Sequence, residues 1–316
     1  MTQPVLVTGA AGFIGSHSVE WLLGQGRRVV GVDNLRTGRL ENLVVARASP
    51  DFDWVLADAD DESAMRALFQ QYRFAGVLHL AALVSVPESF REPALNYRLN
   101  LAMADSLARL CLEFDCRRLV FASSAAVYGA TAVLPNRESA TPQPQSPYAA
   151  AKLAAEVMLL GYAASYGLEV ACLRYFNVYG LRQDPSSPYS GVLSIFTERF
   201  RHGLTVTVYG DGEQTRDFIS VRDVARANGL ALTGARMTSG RYNVCTGRAV
   251  SLNQVLELYY ELFPGVPPAE YADARIGDIR HSLGAPNLLH DLLAFEARIS
   301  FAQGLRELAL GAWMIR

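Results

Sequence analysis

Thr8-Gly9-Ala10-Ala11-Gly12-Phe13-Ile14-Gly15 follows the apolar run Val5-Leu6-Val7 and opens a helix-patterned stretch over residues 13–23. A glycine turn in that place lets the chain reverse tightly between a strand and a helix. It also lets backbone amides approach a pyrophosphate at the N-terminal end of that helix. The spacing is Gly-x-x-Gly-x-x-Gly, not the Gly-x-Gly-x-x-Gly of the standard dinucleotide fingerprint, so placement carries the reading more than the glycines do. The next apolar run, Val29-Val30-Gly31-Val32, closes on Asp33, 18 positions after Gly15. A carboxylate there can accept from both hydroxyls of an adenosine ribose and meets a 2′-phosphate with like charge, which favours NAD over NADP; Arg36 nearby weakens the distinction.

Outward from this unit the pattern repeats. Apolar runs at Gly76-Val77-Leu78-His79-Leu80, at Arg118-Leu119-Val120-Phe121-Ala122 and at 168–173 alternate with helical periodicity over 93–114 and 147–166. Repeated βαβ units predict an α/β fold, a doubly wound parallel sheet of the Rossmann type, with a smaller α/β C-terminal substrate domain. The change of rhythm after Tyr179, to loops rich in Pro, Ser, Gly and Asp, places the boundary between a dinucleotide-binding domain at 1–178 and a smaller domain at 179–316. A helical stretch near 215–236 is expected to return to the first domain.

Composition narrows the function classes. At 316 residues with 50% hydrophobic and 19% charged content, the chain can fill the cores of roughly two domains, which excludes disorder. A net charge of −2 lacks the basic excess of general nucleic-acid binding. Cys111, Cys116, Cys172 and Cys245 form no Cys-x-x-Cys pair, so no metal site and no disulfide framework is expected. No apolar run approaches the roughly 18 residues of a membrane span, and no cationic-then-apolar leader is present. A cytoplasmic protein without membrane or nucleic-acid partners is the expectation.

Tyr148 and Lys152, behind Ser146-Pro147, lie four residues apart at the start of a predicted helix, which puts both side chains on one face. A free tyrosine ionises near pH 10, so it serves as a base at neutral pH only where positive charge stabilises its phenolate. Lys152 supplies one such charge. Ser123-Ser124 ends the run at Ala122, and the carboxyl ends of parallel strands line the ligand crevice, which aims Ser124 at the same place. Asp58 is read either as a contact to the adenine edge or as part of a solvated acidic turn with Asp60, Asp61 and Glu62.

Taken together, the glycine turn, His79-Leu80-Ala81-Ala82, Ser123-Ser124-Ala125-Ala126-Val127-Tyr128-Gly129, Tyr148 to Lys152 and Arg174-Tyr175-Phe176-Asn177 resemble the extended short-chain dehydrogenase/reductase family. The resemblance covers the whole chain and is greatest to the UDP-glucose and UDP-N-acetylglucosamine 4-epimerases, which hold NAD and form homodimers. It implies catalytic roles for Ser124, Tyr148 and Lys152. Cofactor contacts are implied at Gly9, Gly12, Phe13, Ile14 and Gly15, and at Asp33, Asn34, Asp58 and Ala59. Others fall at Leu80, Ala81, Ala82 and Val84, and at Asn100, Tyr175 and Val178, besides Tyr148 and Lys152.

For the substrate, a UDP-sugar, the resemblance implies Arg216 and Arg275 as diphosphate clamps, with Asp278 on the nucleotide ribose. Asn177 is expected at the phosphate or sugar, and Val192, Tyr209 and Ser85 along the remaining contacts. Ser282, in Arg280-His281-Ser282, is similar in position to a residue that walls the hexose 2-substituent; a small side chain there leaves room for an N-acetyl group. The implied activity is interconversion of UDP-GlcNAc and UDP-GalNAc through a 4-keto sugar, with UDP-glucose and UDP-galactose also accommodated. The alternatives are a 4,6-dehydratase, disfavoured by Ala125 and Ala126 where the resemblance calls for acidic neighbours, a 4-reductase, or a catalytically silent NAD-binding sensor.

Overall fold

The computed structural model describes residues 3–131, 133–184, 191–235, 237–274 and 279–311. The first half supplies strands β1 (Val5–Thr8), β2 (Val29–Asp33), β3 (Phe52–Leu56), β4 (Gly76–His79), β5 (Arg118–Ser124) and β6 (Glu169–Tyr175). The second half supplies β7 (Asn177–Tyr179), β8 (Thr207–Tyr209), β9 (Thr215–Arg216), β10 (Phe218–Ser220), β11 (Gly240–Val244), β12 (Val250–Ser251) and β13 (Glu270–Ala272). The helices are α1 (Phe13–Gly24), α2 (Val44–Arg47), α3 (Glu62–Gln71), α4 (Val86–Arg91), α5 (Pro93–Tyr97), α6 (Met103–Glu113) and α7 (Pro147–Tyr166). They continue with α8 (Val192–Arg201), α9 (Val221–Thr233), α10 (Leu252–Leu262), α11 (Asn287–Leu293) and α12 (Phe301–Leu310).

Seven strands pair in parallel in the order β11-β6-β5-β4-β1-β2-β3. Because the order reverses between β1 and β4, the loops leaving these two strands diverge and open a crevice at their carboxyl ends. Both sheet faces are covered, as all-parallel sheets require. Alternation along β1 sends Val5 and Val7 into one core with Leu22, Val224 and Ala227, and Leu6 into the opposite core with Met65, Leu107 and Leu159. The fold class read from the sequence is the one observed.

Two features lie outside the local patterns. The apolar period over 93–114 is interrupted: α5 and α6 are joined by a π-helical turn at Arg98–Ala102. Buried Asn100 sits in that turn and donates through Nδ2 to the Leu83 carbonyl and to Asn96 Oδ1, both at 2.9 Å. A widened turn lets one amide leave the helical face and satisfy a loop carbonyl, which apolar spacing does not register. The seventh strand, β11, is interleaved with Arg241 and Asn243, so no apolar run announces it.

Beyond Tyr179 the chain divides between two cores. Ile219, Val224, Ala231, Tyr242 and Val244 join the core beneath the large sheet, and α9 lies against α1 so closely that a Cβ on Gly229 would stand 1.9 Å from the Trp21 ring. Leu193, Phe196, Phe200, Val208, Leu252, Tyr259 and Leu305 build a separate core, in which the Phe200 and Tyr259 rings stack at 4.9 Å. The junction of the two cores runs along the carboxyl edge of the sheet.

Candidate active site

One cleft of about 1130 Å³ follows that edge. At its adenosine end the glycine turn is shaped by close backbone approach. Gly9 adopts φ +70°, and a Cβ on Gly15 would stand 1.9 Å from the Gly9 carbonyl oxygen. Gly12 caps α1 without a side-chain acceptor, and no acidic residue occupies the first helical turn. The positive end of the helix dipole thus faces the cleft with no carboxylate of the helix's own first turn to occupy it, a start suited to an anionic group.

Asp33 ends β2, buried at 8% exposure, with Oδ2 accepting from the Ala11 amide at 3.0 Å and Oδ1 from the Leu35 amide at 2.7 Å. Burial pushes its pKa up, and the amide hydrogen bonds oppose that shift. Arg36 turns away to Glu88 at 2.6 Å, and Arg39 reaches Asp184 at 2.6 Å. Arg36 is therefore engaged with a carboxylate and is not paired with Asp33, and both residues line the cleft.

The acidic group that follows β3 divides by role. Asp61 caps α3, Glu62 pairs with Arg66 and Arg109, and Asp60 pairs with Arg98. Asp58 and Ala59 line the cleft, and Asn34 Nδ2 donates to Asp58 at 2.9 Å. Leu80, Ala81, Ala82, Val84, Tyr175 and Val178 line it as well. Asn100 does not: its amide is spent on Leu83 and Asn96 behind the cleft wall.

At the centre, Ser146 caps α7 by accepting from the Ala149 amide, with Pro147 in the first turn, and this start fixes Tyr148 facing the cleft. Ser124 Oγ accepts from the Ala126 amide at 3.1 Å and is also hydrogen-bonded to the Tyr148 side chain. Lys152 is 2% exposed, its Nζ 4.8 Å from the Phe121 ring centroid and 5.9 Å from that of Tyr148. Burial pushes the lysine down to about 7. Burial also raises the tyrosine, against the lowering effect of its bond to Ser124. The phenolate expected from the sequence is thus not the resting state of the chain alone, because both groups have lost water and neither is paired with an opposite charge.

Beneath them lies buried His79. Thr8 Oγ1 accepts from the Leu80 and Ala81 amides and is hydrogen-bonded to His79 Nδ1, 2.8 Å away, while His79 Nε2 has no hydrogen-bond partner among the described residues. Burial and the Lys152 charge push this histidine down to about 3, so it stays neutral.

On the far side, Asn177, Val192, Tyr209 and Arg216 line the cleft together with Ser85, whose Oγ caps α4 by accepting from the Glu88 amide at 2.9 Å. Arg216 Nη1 donates to the carbonyls of Thr215 at 3.0 Å and Arg280 at 3.2 Å. Arg275 and Asp278 lie outside the described residues. Ser282 is held beside β9 by a hydrogen bond from its backbone N–H to the Thr215 carbonyl at 3.0 Å and is not among the residues that line the cleft. Sequence reasoning missed Arg39, Asn42, Glu88 and Gln183, all cleft-lining residues drawn in by tertiary contacts rather than by any motif.

The model of the NAD dependent epimerase/dehydratase family matches residues 5–245. The UDP-glucose 4-epimerase of Mycolicibacterium smegmatis is 36% identical over 305 residues, 95% of each chain. Among solved structures, a UDP-N-acetylglucosamine 4-epimerase from Methanobrevibacter ruminantium, in complex with UDP-N-acetylmuramic acid, superposes with a TM-score of 0.91 at 36% identity. The match covers 98% of this chain and 97% of that one. A Thermus thermophilus UDP-glucose 4-epimerase complexed with NAD gives 0.86 at 39% identity over 96% of each.

The buried lysine generates a pH dependence with a definite sign. Between about 7 and 10.5 the folded chain binds fewer protons at Lys152 than the unfolded chain does, so this group makes stability rise with pH across that window. In cofactor-stripped protein, the urea midpoint of the native chain relative to Lys152→Met is expected to climb between about pH 7.5 and 9.5. A constant difference would show that Lys152 keeps its charge when folded.

Proposed function

Because the chain belongs to the NAD dependent epimerase/dehydratase family, we propose that it is a UDP-hexose 4-epimerase with Tyr148 as its acid–base group. The observation that carries this reading is the convergence of Tyr148, Ser124 and Lys152 on the cleft that the glycine turn and Asp33 also line. The bound cofactor is NAD, which supplies a hydride acceptor and donor and a further positive charge near the phenol. Gly9, Gly12 and Gly15 hold its pyrophosphate, and Asp33 its adenosine ribose.

Tyr148 takes the proton of the sugar 4-hydroxyl as C4 is oxidised, and Ser124, already bonded to the phenol, steadies the same oxygen. The resulting 4-keto sugar turns about its bond to the diphosphate. The reduction then occurs on its other face, with Tyr148 returning the proton. Arg216 fits the diphosphate, since a guanidinium presents paired donors to phosphate oxygens, and Arg275 and Asp278 complete that assignment. Dehydration needs further acid–base groups beside Ser124; the turn there is Ala125-Ala126, and Ala126 faces the cleft.

The N-acetylated pair UDP-GlcNAc and UDP-GalNAc are the substrates in this reading, with the plain hexoses accepted too. Its support is the small Ser282 at the position that the family resemblance gives to the wall of the 2-substituent, and the likeness to the Methanobrevibacter enzyme. A homodimer and a cytoplasmic location belong to the same reading. Met103 and Leu107 are core residues, so the exposed large apolar side chains left for a second copy on α4, α5 and α7 are Val86, Phe90, Tyr97, Val157 and Tyr166. Among the described residues no helix is long and apolar enough to cross a membrane.

Incubation with the four UDP-sugars tests the activity. Tyr148→Phe should lower turnover by roughly 100-fold while NAD still copurifies; near-native turnover would remove Tyr148 from the role. Ser282→Tyr should cost activity selectively on the two N-acetylated sugars, and an equal loss on all four would leave Ser282 without a part in specificity. Light scattering and cell fractionation should return a soluble dimer; a monomer would exclude the pairing of these helices.

A further inference from the structure

We propose that Glu156 is a positioning residue that, through Ser123 and Arg174, sets helix α7 and hence Tyr148 against the strand that carries Ser124. The inference rests on the acid–base reading of Tyr148 given above. Glu156 stands on α7 one helical turn beyond Lys152, and its carboxylate is fully buried. Three strands meet it. Ser123 Oγ of β5 donates at 2.5 Å, Arg174 of β6 donates through Nε at 2.8 Å and Nη2 at 2.6 Å, and Arg241 of β11 donates through Nε at 3.0 Å.

The register of the sheet explains why this contact reaches the site. Ser123 and Arg174 are direct partners across β5 and β6, and the next pair along is Ser124 with Tyr175, both of which line the cleft. Arg174, 0% exposed, is held from its other side by the Tyr128 ring, 4.7 Å from the guanidinium carbon. Tyr128 in turn donates to Asn243 at 2.7 Å. One buried carboxylate therefore ties the helix of Tyr148 and Lys152 to the strand ends beside Ser124.

Burial alone does not require an ion pair here, because well-packed apolar residues of similar volume are often as stable as a buried salt bridge or more so. What a forked guanidinium–carboxylate contact adds is direction. The buried face of α7 carries the small Ala149, Ala151 and Ala155 beside Lys152 and Leu159, so the helix approaches the sheet closely and Glu156 supplies the forked, directional contact.

The double variant Glu156→Leu/Arg174→Met removes both buried charges at similar volume, and half-exposed Arg241 is free to turn to solvent. It should fold with a thermal midpoint near that of the native protein, keep its NAD and its KM for the UDP-sugar, and lose about 10- to 100-fold in kcat, the scale of a misplacement near 1 Å. Full kcat in a stable double variant would overturn the proposal. If the double variant does not fold, Ser123→Ala decides: a smaller fall in kcat at unchanged KM and midpoint is expected, and unchanged kcat overturns it. Tyr148→Phe measured alongside separates the two levels. If it keeps turnover, the acid–base reading and this inference both fall; if it loses turnover while the Glu156-site variants do not, only the positioning role falls.

Discussion

The contact between Gly15 and Gly9 governs the geometry of the whole site. With a Cβ only 1.9 Å from the Gly9 carbonyl oxygen, residue 15 has no space for a side chain, and α1 must begin directly on the turn that leaves β1. That start sets the direction of α1, and α1 in turn receives α9 at a distance only Gly229 permits against Trp21. Because α9 follows β10 and precedes β11, the same contact brings the second half of the chain back to the sheet and lays the second core beside the crevice. Cofactor cradle and substrate wall thus share one mechanical origin.

Desolvation dominates the chemistry at the centre. Lys152 falls to about 7 and Tyr148 rises, so each group is biased towards its neutral form before ligands arrive. In the reading proposed above, the oxidised nicotinamide of a bound dinucleotide would change this balance by adding positive charge beside the phenol, where an interaction is stronger than in bulk water. The neutral His79 beneath adds no competing charge. Burial, which makes the resting tyrosine a poor base, is also what makes it responsive to the loaded cleft.

What the sequence disclosed was local: β1, α1 and Asp33 follow from a turn and two apolar runs, and Tyr148 with Lys152 from helical spacing. Contacts made at long range were not readable. Arg36 was ambiguous as a sequence neighbour of Asp33 and is resolved only by Glu88, 52 residues away on α4. Asn100 lay in an amphipathic stretch whose periodicity carried no sign of a π-helical turn. Ser282 sits beside β9 instead of in the lining because a backbone hydrogen bond fixes it there, and no side-chain pattern encodes that bond. The pairing of Glu156 with Arg174 crosses 18 residues and two elements, and its only trace in the sequence is a charged residue at a position that the helical pattern would leave apolar.

Two ion pairs stand along the walls of the cleft beside Asp33. Arg36 and Arg39 both leave the loop after β2, and both are paired with other cleft-lining residues, Glu88 and Asp184. Their partners sit on separate segments, α4 and the chain after β7, so the arginines connect the cleft walls rather than its floor. Exposed pairs of this kind contribute little to stability, roughly 0–1 kcal/mol each, so their consequence is mainly for charge and reach. In the reading proposed above, in which Asp33 meets the ribose hydroxyls, the Arg36 guanidinium is held by Glu88 and does not neutralise that carboxylate. A 2′-phosphate would have to break the Arg36–Glu88 pair or face the Asp33 carboxylate unneutralised, and discrimination between the two dinucleotides then arises as much from repulsion as from the hydrogen bonds Asp33 makes.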